Sequence, residues 1–292
     1  MGLAFGFGTK IKLFGYYLVK MKNSMLYYKT YKHSSSNEWV VFIHGAGGSS
    51  SIWHKQIREF GQEYNLLLID LRGHGKSASS IRNIWKEEYT FPAVTKDIIE
   101  VLDHLQLPPA HVMGVSLGTV LARQLAEMEP QRVKSLILAG AITRLTFTSQ
   151  ILVTLGNTFK SVVPYMWLYS LFAWIIMPRR HHAESRNLFI NEAKRLCQKE
   201  FIRWFKLTKD INPLLKFFKE KDLSIPTLYV MGEEDIMFLE QVKKIVKEHK
   251  LSILNIVKAC GHVVNVEQPE IFNRLALQFI KNQQIPLIGF SE

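Results

Sequence analysis

Runs dominated by apolar residues recur along this chain at Trp39–Ile43, Leu66–Asp70, His111–Val115, Ser135–Ala139, Pro226–Met231 and Ser252–Val257. Each is too short for a helix and continuous enough for a strand buried on both faces of a parallel sheet. Between them the period changes. Phe91–Leu107 places Val94, Ile98, Val101, Leu102 and Leu105 on one helical face before Pro108 and Pro109, and Leu117–Glu129 repeats Leu117, Val120, Leu121, Leu125 and Met128 at helical spacing before Pro130. Ile52–Phe60, Leu239–His249 and Pro269–Ile280 read as helices too. This alternation predicts an α/β fold with a mostly parallel, doubly wound sheet. At the start, Leu13–Lys20 and Ser24–Tyr31 read as an antiparallel strand pair.

The alternation breaks between Ile142 and Leu223, where long apolar and basic helical patterns contain no strand. The segment reads as an inserted helical cap, which divides the chain into core (1–141), cap (142–223) and core (224–292). Within it, Val162–Pro178 is a run of 17 uncharged residues including Tyr165, Trp167, Tyr169, Phe172 and Trp174, followed by Arg179 and Arg180. Its length is at the lower limit for a membrane span. A crossing would also separate Ser116 from every later polar candidate, so the run is read as cap helix packed inward over a greasy pocket, in preference to an interfacial lid.

Composition changes this picture in two places. The formal charge of +12 favours anionic partners, and 14 Lys and Arg against 6 Asp and Glu between Thr143 and Leu223 supply +8 of it. No nucleic-acid-binding motif accompanies the charge. It reads as a solvated basic face, with weak peripheral contact to an anionic membrane as the alternative for the cap and for the Lys-containing arm Met1–Lys22. The arm lacks the cleavage site of a signal peptide. Two cysteines, Cys197 and Cys260, form neither a disulfide framework nor a metal cluster and point to a reducing, cytoplasmic compartment.

The chemistry gathers at strand ends. Gly114-Val115-Ser116-Leu117-Gly118 matches G-x-S-x-G between a predicted strand and a predicted helix, the context in which a serine stands clear on a strained turn. A serine hydroxyl needs a base and an orienting carboxylate. Asp235 follows the strand Pro226–Met231 and His262 follows Ser252–Val257, so all three sit at the carboxyl edge of the sheet, where ligands bind. Glu233 and Glu234 are alternative acids. His44, His74, His249 and the pair His181-His182 are alternative bases, of which none combines a glycine-flanked loop after a strand with a final helix behind it. The loop His44-Gly45-Ala46-Gly47-Gly48-Ser49 offers backbone amides to a ligand but lacks the lysine of a phosphate loop.

These segments, with Asp70-Leu71-Arg72-Gly73-His74-Gly75-Lys76-Ser77, Gly232–Asp235 and Gly261-His262, resemble the α/β-hydrolases of the capped, esterase-like type, from about Met25 to Ile280. The resemblance implies a Ser116–His262–Asp235 triad and an oxyanion hole from the amides of Leu117 and Ala46, with Gly47 the weaker second choice. His44, Gly45, Trp167 and Phe172 are assigned to the substrate pocket, a small-molecule ester is the expected substrate, and neither cofactor nor metal is required. Dehalogenases and epoxide hydrolases of this type carry aspartate at the elbow, and Ser116 argues against both. The same scaffold serves C–C hydrolases, lyases and non-catalytic receptors.

Overall fold

The computed structural model describes residues 25–78, 89–144, 164–196 and 198–282, apart from the side chains of Thr208 and Lys209. The arm Met1–Lys22, the expected strand Leu13–Lys20 and Cys197 lie outside them. Seven strands form one sheet: β1 (Tyr28–Tyr31), β2 (Trp39–Ile43), β3 (Asn65–Ile69), β4 (Ala110–Val115), β5 (Val133–Ala139), β6 (Thr227–Gly232) and β7 (Ser252–Val257). Their order is β1-β3-β2-β4-β5-β6-β7, and all pairings are parallel except β1 with β3. Among the described residues, the strand within Ser24–Tyr31 pairs antiparallel with β3.

Ten α-helices accompany the strands among the described residues. They are α1 (His54–Phe60), α2 (Phe91–His104), α3 (Leu117–Met128), α4 (Tyr165–Ile176), α5 (Ala183–Ala193), α6 (Gln198–Lys206), α7 (Thr208–Glu220), α8 (Leu239–Glu248), the single turn α9 (Val264–Glu267) and α10 (Pro269–Asn282). The start of α2 shows why the sequence begins it there: the Thr90 side chain accepts from the Ala93 N–H, and Pro92 occupies the first turn, where its missing N–H costs nothing.

Alternate strand residues feed two cores, which is what winding on both faces requires. Val41, Ile43, Leu136 and Leu138 pack with Ile98 of α2, Leu121 and Leu125 of α3 and Val242 of α8. Val40, Phe42, Ile137 and Ala139 pack on the opposite face with Phe60 of α1 and Phe272 and Ala276 of α10. The central strands are buried at every position, so their sequences carry no polar alternation. Helices α4 to α7 stand between β5 and β6. At 12 residues, α4 is only about 18 Å long, and no helix of the described residues is long and apolar enough to cross a membrane.

Candidate active site

The site begins where β4 meets α3. Ser116 sits at φ 54°, ψ −122°, a strained backbone for a residue with a side chain, and the turn is held by the Ser116 N–H to Ala139 O (3.0 Å) and the Thr119 N–H to Ser116 O (2.9 Å). Such a turn forces strand and helix together. A methyl at Gly114 would run into the Gly118 carbonyl, and one at Gly118 into the Ile43 carbonyl, so both flanking positions of the motif need glycine for space. Starting α3 immediately after Ser116 turns its amino end and dipole toward the hydroxyl.

The loops after β6 and β7 bring two more side chains to this point. The His262 ring lies with Nε2 3.0 Å from Ser116 Oγ and Nδ1 2.7 Å from Asp235 Oδ2. Asp235 and His262 are buried. With Nδ1–H donated to Asp235, Nε2 is free to accept the serine proton, and Phe238 packs against the imidazole at 5.3 Å between ring centroids.

The other loop histidines are turned away from Ser116. His44 Nδ1–H donates to Gly45 O (2.7 Å) and its Nε2 accepts from the Leu71 N–H (2.9 Å); His74 Nδ1–H donates to Arg72 O (3.0 Å) and its Nε2 accepts from the Gly47 N–H (2.9 Å). Both rings are buried, and burial pushes both below the ordinary imidazole value, His74 to about 3 with His44 beside it contributing. They bolt together, as neutral rings, the loops after β2 and β3. The Gly47 N–H is spent on His74, whereas Ala46 and Leu117 flank Ser116 at the cavity.

A layer of polar contacts surrounds the two loops that carry Asp235 and His262. Glu267 accepts from the Gly261 N–H (2.6 Å) and the Val263 N–H (3.3 Å), the residues on either side of His262, and from Ser185 Oγ (2.9 Å) of α5. Glu234, next to Asp235, accepts from His181 Nε2 (2.8 Å) and His182 Nε2 (2.9 Å) and pairs with Arg179 Nη1 (2.8 Å). Burial raises its carboxyl, but the two histidine hydrogen bonds and Arg179 outweigh that and hold it below the usual range. His181, His182 and Glu234 are the one set among the described residues whose atoms converge closely enough to hold a metal ion. The Arg179 N–H reaches His182 Nδ1 (3.4 Å), which leaves the proton on Nε2, and a guanidinium shares the carboxylate. Both features describe a hydrogen-bonded latch between cap and core.

Above Ser116 lies a cavity of about 230 Å³. Its floor is Gly45, Ala46, Ser116, Leu117 and His262, and its walls are largely the aromatic and aliphatic side chains of α4 to α7.

The family model described as the alpha/beta hydrolase fold matches residues 38–165. The fold is that of the α/β-hydrolases. Among solved structures it is similar to a hydrolase from Pseudomonas aeruginosa (TM-score 0.76, 20% identity, 93% of this chain and 99% of that one). MenH from S. aureus superposes with a TM-score of 0.72 at 21% identity, over 88% of this chain and 99% of that one. Among curated proteins, Epoxide hydrolase 4 of Mus musculus is 24% identical over 265 residues, covering 84% of this chain and 73% of that protein. The 3-oxoadipate enol-lactonase 2 of Acinetobacter baylyi is 26% identical, covering 80% and 85%.

Within this fold, two residues expected at the substrate stand elsewhere. Trp167 is 73% exposed and outside the cavity lining, because α4 packs on α5 and α6 through the face bearing Leu168, Tyr169 and Phe172. His44 is buried behind the loop, its ring consumed by backbone contacts. Gly45 and Phe172 line the cavity. Of the alternatives, Glu234 and the His181-His182 pair meet each other and not the serine, Glu233 reaches only the Ala259 N–H (3.4 Å), and His249 Nε2–H donates to Lys219 O (2.9 Å). The sequence reading missed Glu267 and Glu192. For Glu267 a signal existed, an acid five residues after His262 before a helix; for Glu192, on a helix with weak periodicity, there was none.

Proposed function

We propose that this α/β-hydrolase is a serine hydrolase that cleaves carboxylic esters with an apolar acyl group, beneath a cap formed by residues 142–223. The observation that carries the reading is the line Ser116 Oγ, His262 Nε2 (3.0 Å) and His262 Nδ1, Asp235 Oδ2 (2.7 Å) at the floor of an apolar cavity. Ser116 Oγ attacks the ester carbonyl while His262 Nε2 takes its proton and Asp235 stabilises the resulting imidazolium. The Leu117 and Ala46 amides hold the oxyanion, a role for which Ala46 is favoured over Gly47, whose N–H already serves His74. His262 returns the proton to the departing alcohol. His262 then draws a proton from water, which attacks the acyl-enzyme, and returns that proton to Ser116 Oγ as the acid leaves.

Opening an epoxide through a covalent ester needs a carboxylate nucleophile, and this elbow holds Ser116. A lyase or C–C hydrolase that grips an acid would use a cation on the wall, and no Lys or Arg lines the cavity among the described residues. The test is Ser116→Ala assayed on p-nitrophenyl hexanoate, with a fluorophosphonate probe on the wild type. The expected results are covalent labelling of Ser116 and a fall in turnover that leaves roughly 10³- to 10⁴-fold acceleration over water from the remaining oxyanion contacts and binding. Wild-type turnover in the variant would defeat the reading; folded protein that neither turns over nor labels would point to a binding role.

A further inference from the structure

The charge of the whole chain and the charge at its site point to opposite substrates. At +12 the molecule attracts anions. Yet among the described residues lining the cavity there is no Lys or Arg, and the one acid is Glu192. Glu192 comes from α5 and is 9% exposed; its Oε2 accepts from Ser49 Oγ (2.6 Å), which fixes it against the loop after β2. Its ion-pair partner Arg195 (3.1 Å) is 67% exposed and is not part of the lining. The pair is therefore asymmetric, with the carboxylate in the wall and the guanidinium in water.

Magnitudes decide which field the substrate obeys. A surface charge acts through solvent with a screening length of about 8 Å at physiological salt, so its pull fades before the cavity floor. Inside, a carboxylate would shed its hydration without a cation to replace it, a penalty of more than about a hundredfold in affinity. A like charge about 8 Å away at an effective dielectric near 20 adds roughly thirtyfold. The local terms win.

We propose that this site accepts uncharged esters and rejects esters whose acyl part carries a carboxylate, and that Glu192 is a specificity-determining residue for that choice. This rests on the ester-hydrolase reading. The experiment compares three p-nitrophenyl esters of equal reach: the hexanoate, the monoester of adipic acid, and the same monoester with its free acid as the primary amide. The amide separates charge from polarity. In the full-length wild type, kcat/KM for the free acid is expected to be at least about a hundredfold below the hexanoate and at least about tenfold below the amide. Both ratios should stay within about twofold between 0.05 and 0.5 M NaCl, since the cavity and not the screened surface sets them. Glu192→Gln, which keeps an acceptor for Ser49, should narrow the amide-to-acid ratio by up to about thirtyfold.

Equal or greater activity on the acid in the wild type overturns the proposal while leaving the ester-hydrolase reading intact, and that comparison needs no variant. A ratio that collapses or inverts at low salt transfers the selection to the surface. A ratio unmoved in folded Glu192→Gln removes Glu192 from the assignment. No turnover of any of the three esters, with no fluorophosphonate labelling, removes the hydrolase reading itself and the proposal with it.

Discussion

His44 and His74 show how a residue that reads as chemistry can be structure. Each spends both ring nitrogens on backbone groups, so neither has a lone pair to offer a substrate. Their neutrality makes a prediction about acid stability. His74 is held at about 3 in the folded chain against about 6.5 in the unfolded one, so the unfolded state binds the extra proton as pH falls. Stability is full above pH 6.5 and is lost progressively from there toward pH 3, on the order of 1 kcal/mol per pH unit from this ring alone. Urea unfolding at pH 8, 6 and 5 should show that decline, and His74→Asn should start less stable at pH 8 but decline less steeply. Equal slopes for the two proteins would show that another group carries the effect.

Helix α4 illustrates what a nearly all-apolar element leaves open. Residues 167 and 169 stand about 200° apart on a helix, and residues 167 and 174 fall two turns apart on one side. Packing on α5 and α6 sends Tyr169 and Phe172 to the cavity and leaves Trp167 and Trp174 54% or more exposed, the latter beneath Arg186 at 3.6 Å. Phe172→Ala removes wall that an acyl chain would touch, and kcat/KM on p-nitrophenyl hexanoate should drop about tenfold, the worth of about two buried methylenes. Trp167→Ala should change neither that value by more than about twofold nor stability beyond about 0.5 kcal/mol. The opposite ranking in a side-by-side assay would mean that α4 presents its other face to substrate.

Across the molecule, cap and core meet through Glu267 and Glu234, which sit beside His262 and Asp235. The stretch Arg179–Ser185 thereby touches the loops that carry Asp235 and His262. Glu267→Gln keeps a side chain of the same shape but presents an NH2 where one oxygen accepted an N–H. Its turnover number should fall roughly ten- to a hundredfold through displacement of the His262 loop, with KM changed much less. His182→Ala strips two carboxylates of a buried partner and should lower the unfolding free energy by about 1–3 kcal/mol. If both variants lost only stability and kept their turnover numbers, the network would be scaffold and not a positioning device.

The elements, and the meeting of Ser116, His262 and Asp235 at one sheet edge, were legible because their causes are local. Buried strands must be continuously apolar, helices need their period and their stops, and the crowding at Ser116 admits only glycine at 114 and 118. The loops after strands then inherit one edge of the sheet, which is why Asp235 and His262 could be named without coordinates. The rest depends on contacts between distant parts of the chain. Ser49 and Glu192 are 143 positions apart, and His182 and Glu234 are 52 apart. Which way α4 rotates, that Glu192 enters the wall, and that His181, His182 and Glu234 form a latch follow from how cap helices settle on the sheet. Side chains of similar polarity on both sides of a helix leave that rotation to packing, so only the tertiary structure assigns Phe172 to the cavity, Trp167 to solvent and a carboxylate to the pocket of a basic protein.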